Sequence, residues 1–235
     1  MKAILGLAAS SIFISSTAFA QVQPLSGIKI LINPGHGGQE TGAAGPNGYF
    51  AKDVSLKVSL LLRDELVTRG ALVVMTRDSD RELTLPERQA IIDKQEPALA
   101  LTIHYTAVPD DGDAENTKGI RTFWYHSQAH SAAIFLHNHV VKQLRRDSMG
   151  VFWNNLALTR PSSAPSVVME LGFMTNPEEF EWITNSEEQK KLARVLADGI
   201  VKWVRGGLNR GSALGGQQAV KDTSSAIQDV SRWWR

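Results

Sequence analysis

The stretch Ile28-Lys-Ile-Leu-Ile-Asn-Pro-Gly-His-Gly-Gly38 decides the fold class, because a mostly apolar run ends abruptly in a loop of small residues around His36. The run Ile28–Ile32 has the length and composition of a buried strand. Further strands are predicted at Ala71–Thr76, Ala98–Ile103, Gly119–Tyr125 and Ser166–Leu171. Strands that are apolar throughout, rather than in alternation, are typical of a parallel sheet that is covered on both faces.

Helical patterns separate these strands. Apolar spacing predicts helices over 54–66, closed by Gly70, and over 85–93, 129–144 and 189–204. Alternating strands and helices predict an α/β fold, a three-layer sandwich with a largely parallel central sheet and helices on both faces.

Three residues suited to metal binding or acid–base chemistry follow, or end, separate apolar runs. His36 follows the first strand, His104 follows Ala98–Ile103, and Glu170 stands near the end of Ser166–Leu171. In open α/β sheets, ligands bind outside the carboxyl ends of the strands. The sequence therefore predicts that these three side chains meet at one edge of the sheet.

The loop around His36 admits two interpretations, a phosphate cradle and a metal site. A Walker-type loop needs a Lys after its glycines, and a dinucleotide fingerprint must open directly into a helix. The sequence Gly35-His-Gly-Gly38 is followed by Gln39-Glu40 and has neither feature. Neutral histidines at two strand ends favour a metal site, although a single His is more often structural.

Glu170 also has two interpretations. A carboxylate inside an apolar strand is costly unless it has a partner. Glu170 therefore either forms a buried ion pair with an arginine such as Arg160, or acts as a general acid/base whose pKa is raised by burial. The remaining histidines are not interpreted as ligands, and His130, His137 and His139 are expected to be solvated residues of a helix. His137 and His139 point to different helix faces and make a poor metal pair.

The ends of the chain predict three segments. Residues 1–20 have a basic start, an apolar stretch and an Ala-Phe-Ala cleavage signal, as in a secretory signal peptide. Residues 21–205 fit one domain, and the glycine-rich residues 206–235 are predicted to form a flexible tail. The signal peptide predicts export, so the mature protein is expected in the periplasm or cell envelope, and no other run is long enough to span a membrane.

Composition narrows the chemistry further. The chain has no cysteine, so a zinc site would have to use His and carboxylates. The net charge is +1, which argues against a nucleic-acid surface. Nothing in the sequence identifies an activating protein partner.

Five motifs in order give the chain a family resemblance. These are the His36 loop, Lys52-Asp-Val54, the Val73–Asp80 stretch, Thr102-Ile-His104 and Met169–Asn176. Together they resemble the zinc-dependent N-acetylmuramoyl-L-alanine amidases of the amidase 3 type, over about residues 28–205. The run Gly150–Pro161 is similar to the cyanobacterial branch of that family.

The resemblance implies a substrate and a mechanism. The substrate would be the amide bond between N-acetylmuramic acid and L-alanine in peptidoglycan. One Zn²⁺ would be held by His, Glu and His, and would activate water, with a second Glu as general acid/base. Matched by motif, the two histidines are His36 and His104, and the catalytic acid is Glu170.

The third zinc ligand does not carry over. The family has Glu directly before Lys-Asp-Val, whereas this chain has Ala51, and the His36 loop opens with Asn33 instead of Asp. Either Glu40 or Asp53 replaces the lost ligand, or the site binds metal weakly, or the domain is a catalytically impaired peptidoglycan-binding module.

Overall fold

The computed structural model describes residues 23–213, with side chains to 207. Its centre is one sheet of six strands in the order β2-β1-β3-β6-β4-β5. The strands are β1 (Lys29–Pro34), β2 (Leu72–Met75), β3 (Leu99–Thr106), β4 (Ile120–Trp124), β5 (Ser148–Trp153) and β6 (Ser166–Phe173). All neighbouring strands are parallel except β4 and β6, which are antiparallel.

Helices cover both faces of the sheet. The helices are α1 (Ala51–Thr68), α2 (Leu85–Gln95), α3 (Ser127–Leu144), α4 (Pro177–Thr184) and α5 (Ser186–Ala213). Buried residues of α1, α3 and α5 form the larger core with one face, and Ile91 and Ile92 of α2 pack against Leu31 and Ala100 on the other. The predicted three-layer α/β architecture is therefore confirmed.

One strand and one α-helix were not predicted, and neither was a short 3-10 helix at Pro46–Gly48. Strand β5 escaped the sequence pattern because it lies at the edge of the sheet with Phe152 and Trp153 exposed. Helix α4 has a start signal, since Asn176 caps the backbone N–H of Glu179 and Pro177 follows it. It is only eight residues long, too short for a clear apolar period.

The last helix is longer than predicted. Helix α5 does not end at Val204 but continues through Gly206 and Gly207 to Ala213, into the region where the sequence predicted a flexible tail. The predicted signal peptide and the remainder of the tail lie outside the described residues. Among residues 23–213, no helix has the length and apolar character needed to cross a bilayer.

Candidate active site

The structure brings His36, His104 and Glu170 together at the carboxyl edge of the sheet. The imidazole rings of His36 and His104 lie 4.4 Å apart, centroid to centroid. His104 of β3 and Glu170 of β6 are cross-strand neighbours, with 3.9 Å between Nδ1 and the carboxylate Oε1. A cavity of about 420 Å³ opens over both imidazoles and over Ala43.

The His36 loop depends on glycines for its shape. His36 itself adopts a left-handed conformation, with φ of 59°. A Cβ on Gly42, which has φ of 67°, would lie 2.5 Å from Nε2 of His36, and a Cβ on Gly35 would lie 2.8 Å from the His104 ring. Only glycine lets the backbone approach the two imidazoles this closely.

Glu40 sets the tautomer of His36. Its carboxylate accepts a hydrogen bond from Nδ1 of His36 at 2.5 Å. A carboxylate can only accept, so Nδ1 carries the hydrogen and Nε2 keeps its lone pair. No described residue forms a hydrogen bond with the buried Nε2 of His36 or with the buried Nδ1 of His104. Both nitrogens are therefore free to bind a ligand in the cleft.

Two buried arginines fix the backbone beneath the loop. Arg88 donates to the carbonyls of Pro34 and His36, and to the side-chain oxygen of Asn33. Arg77 donates to the carbonyls of Pro34 and Gly35. Burial and the charge of Arg88 lower the pKa of Arg77 to about 10, which leaves it charged near neutral pH. The loop is thus held by charge-assisted hydrogen bonds.

Glu170 has an arginine partner, but it is Arg121 rather than Arg160. Arg121 of β4 contacts Oε2 through Nε at 2.7 Å and Nη2 at 2.5 Å. Arg160 instead donates to the side chain of Asn155. Burial raises the pKa of the Glu170 carboxyl, and the charge and hydrogen bond of Arg121 oppose that rise. The second oxygen, Oε1, stays on the side of His104.

His104 is neutral under ordinary conditions. The pKa of His104 is lowered to about 3. Burial is the largest cause, and the nearby His36, Arg121 and Arg88 add to it. A neutral imidazole is the form that ligates metals. The same cationic surroundings work against binding a further positive ion, so a metal here needs strong ligands.

Ala51 leaves the donor set short of a zinc site. Catalytic zinc normally has three protein ligands. The two unpaired imidazole nitrogens fit such an ion, but Ala51 is fully buried and offers no side-chain oxygen. Its backbone N–H donates to the carbonyl of Ala43, which lines the cleft, so the position itself lies beside the site.

Neither proposed substitute completes the set. Glu40 is engaged with Nδ1 of His36, and Asp53 lies exposed in the first turn of α1, where its charge acts on Arg77. Within residues 23–207, no group of three His, Asp or Glu side chains is arranged to hold a metal ion. The described side chains therefore offer two zinc ligands rather than three.

The other histidines lie away from the cleft, but one of them is not solvent-exposed. His137 is 2% exposed, contacts the hydroxyl of Thr122 through Nδ1 at 3.0 Å and that of Ser148 through Nε2 at 2.6 Å. The interpretation of His137 as a solvated helix residue is wrong, because α3 turns this position toward β4 and β5.

Comparison with known proteins decides the family. The model of the N-acetylmuramoyl-L-alanine amidase family matches residues 30–202. The chain belongs to the N-acetylmuramoyl-L-alanine amidase family. It is 30% identical over 199 residues to the germination-specific N-acetylmuramoyl-L-alanine amidase of Bacillus subtilis, covering 77% of this chain and 81% of that protein.

Two further proteins are similar to this family member, a probable cell wall amidase and an amidase of known structure. It is 30% identical over 179 residues to the probable cell wall amidase LytH of Staphylococcus aureus, covering 75% of this chain and 58% of that protein. The structure of the amidase AmiC2 of Nostoc punctiforme superposes with a TM-score of 0.72 at 28% identity, over 77% of this chain and 99% of that one.

The residues that sequence reasoning missed are the supports of the site. Arg121, Arg77 and Arg88 were not singled out, since an arginine carries no signal of its partner. Gly42 could have been suspected from its place in the glycine-rich loop. Zinc dependence and the cyanobacterial branch stay predictions.

Proposed function

We propose that this amidase-family chain hydrolyses the amide bond between N-acetylmuramic acid and L-alanine in peptidoglycan, in the extracytoplasmic envelope. The observation that carries the proposal is the meeting of two imidazole nitrogens that have no hydrogen-bond partner with a half-buried carboxylate, 3.9 Å from His104. His36 and His104 would hold Zn²⁺. When bound, zinc would polarise the scissile carbonyl and lower the pKa of a water ligand.

Glu170 would carry the proton between the two halves of the reaction. Its carboxylate takes a proton from the attacking water as the water oxygen bonds to the carbonyl carbon. The same proton passes to the amide nitrogen as the C–N bond breaks, which leaves a carboxylic acid on the muramic acid side and a free amine on L-alanine; near neutral pH the acid then gives its proton to the amine. A pKa raised by burial suits a group that must both accept and donate.

Arg121 would orient this proton carrier. It binds Oε2 with two nitrogens and so restricts rotation of the carboxylate, which leaves Oε1 on the side of His104 for the transfer. A forked contact fixes direction as well as distance.

The product identifies the reaction. Purified peptidoglycan is digested with residues 21–235 in the presence of zinc, and the released peptides are analysed by mass spectrometry. We expect peptides with a free N-terminal L-alanine from the parent, and at least ~100-fold less from Glu170→Gln. Peptides cut inside the stem would indicate a peptidase instead.

Ala51 specifically favours a second candidate, a wall-binding module without hydrolysis. A zinc site with two protein ligands is expected to bind the metal weakly, because even loss of a supporting partner costs about 10- to 100-fold in affinity. Pelleting with peptidoglycan that survives both chelation and Glu170→Ala, with no released peptide from the parent, would support that candidate.

A further inference from the structure

A groove of about 700 Å³ runs along strands β4 and β5 beside the candidate active site. Its lining is mainly aromatic and apolar, with exposed fractions of 42% for Phe152 and 62% for Trp153. The lining includes Arg121, Phe123, Met149, Phe152, Trp153 and Asn154. Exposed apolar surface gathered in one groove is characteristic of a binding site rather than of ordinary surface.

The aromatic rings in and beside the groove are fixed in position. Phe123 and Phe152 face each other across β4 and β5, 5.8 Å between ring centroids and tilted by 32°. Trp153 lies 5.4 Å from the ring of Tyr125, and its indole N–H donates to the Tyr125 carbonyl at 3.0 Å. Rings held by neighbours and a hydrogen bond lose little freedom when a ligand binds.

The groove is continuous with the catalytic carboxylate. His104, Glu170, Arg121 and Gly150 are successive cross-strand neighbours from β3 to β5. Adjacent strands are ~4.8 Å apart, so the groove begins one strand away from Glu170. Arg121 forms the junction, because it bonds Glu170 and lies 5.9 Å from the centre of the Phe123 ring.

The groove has no unpaired charge among its lining side chains, which favours the glycan of the substrate over the stem peptide. The guanidinium of Arg121 is already paired with Glu170, and the other groove residues named above are uncharged. Stem peptides carry carboxylates that would find no unpaired cation among these side chains. The glycan of the uncut substrate is neutral, because the acid group of muramic acid is held in the amide, and its rings present C–H groups, which are attracted to the electron-rich faces of aromatic rings.

We propose that this groove, formed by Phe123, Phe152 and Trp153, binds the glycan strand next to the muramic acid whose amide is cut. The inference rests on the proposed function, because it places the sugar side of that bond over β4 and β5. The stem peptide then extends from the reacting carbonyl on the other side of Glu170.

Binding of a peptide-free glycan tests the proposal separately from hydrolysis. The probe is chitotetraose, a neutral GlcNAc tetrasaccharide, titrated calorimetrically into residues 21–235; it contains neither a carboxylate nor an amide to a peptide. We expect saturable binding by the parent, weakened about 3- to 10-fold by Phe152→Ala or Trp153→Ala. Trp153→Phe should retain most of the affinity, because it keeps a ring.

Phe135→Ala is the matched control, since Phe135 is 36% exposed but lies on α3 outside the groove. It should bind the tetrasaccharide like the parent. Circular dichroism checks that each variant is folded. The proposal is overturned if the parent does not bind the tetrasaccharide, or if Phe152→Ala and Trp153→Ala bind it as tightly as the parent.

Other occupants of the groove would also be visible. If free stem peptide, rather than glycan, binds the parent and loses affinity in Trp153→Ala, the sugar assignment is wrong. If sedimentation shows a dimer that Trp153→Ala dissociates, the groove is an interface between copies. Loss of hydrolysis with intact glycan binding would instead contradict only the proposed catalysis.

Discussion

Arg121 binds one oxygen of the Glu170 carboxylate with two nitrogens and leaves the other oxygen on the side of His104. The two residues are directly opposed in the antiparallel pair of β4 and β6, the one antiparallel contact in the described sheet. Because of this register, a side chain of β4 orients the candidate catalytic carboxylate of β6.

Substitution of Arg121 should separate charge from geometry. Arg121→Lys keeps the positive charge but loses the forked contact, and a misplaced catalytic group can cost up to ~100-fold in rate. We expect kcat for release of L-alanine peptides to fall about 10- to 100-fold in Arg121→Lys and further in Arg121→Gln. Unchanged kcat in both variants would remove Arg121 from the mechanism.

Gly42 offers a test of the His36 loop with a matched control. Gly42 and Gly48 both have positive φ, 67° and 77°, but a Cβ would strike the His36 ring only at Gly42. Gly48→Ala should lose about 1 kcal/mol of unfolding free energy from backbone strain, and Gly42→Ala should lose more, because its Cβ also strikes the His36 ring. Only Gly42→Ala should also lose zinc affinity, about 10-fold or more, measured by competition with a chromophoric chelator. Equal zinc affinity in the two variants would contradict the proposed role of His36.

Ala51→Glu should restore the ligand that the family resemblance predicts. The side chain at this position starts α1 beside the cleft, so a carboxylate is also favoured by the helix N-terminus. We expect zinc affinity to rise more than ~10- to 100-fold, with a parallel rise in peptidoglycan hydrolysis.

Ala51→Gln is the control for this gain, because it has the same size without the charge. A comparable gain in Ala51→Gln would show that packing, not ligation, is limiting. No gain in Ala51→Glu would place the missing ligand elsewhere.

His137 should make stability depend on pH. Burial lowers the pKa of His137 below its usual 6.5, so the unfolded chain binds more protons than the folded one as the pH falls below 6.5. The free energy of unfolding should therefore decrease from pH 7 to pH 5. In His137→Gln this decrease should be smaller, as measured by urea unfolding at both pH values. An identical decrease in parent and variant would contradict this contribution.

The central part of the fold was predictable because its strands are long apolar runs. Continuous burial of β1, β3 and β6 gave both the parallel sheet and the edge at which His36, His104 and Glu170 meet. Strand β5 was not predictable in the same way, because an edge strand with exposed aromatic residues lacks the buried pattern.

The partners of the site residues could not be read from the sequence. Arg160 was a reasonable candidate for Glu170, but the antiparallel register of β4 selects Arg121, and register depends on the whole sheet. Burial of His137 likewise depends on how α3 rotates against β4 and β5. The absence of an acid at Ala51 was visible in the sequence, whereas the engagement of Glu40 with His36 needed the structure.

Zinc titration of the parent and of a His36→Ala/His104→Ala double variant tests the central claim most directly. Calorimetry of residues 21–235 should show one zinc per parent molecule and no saturable binding by the double variant. If the parent shows no saturable zinc binding even at millimolar concentrations, or the double variant binds zinc equally well, these two imidazoles do not form the metal site.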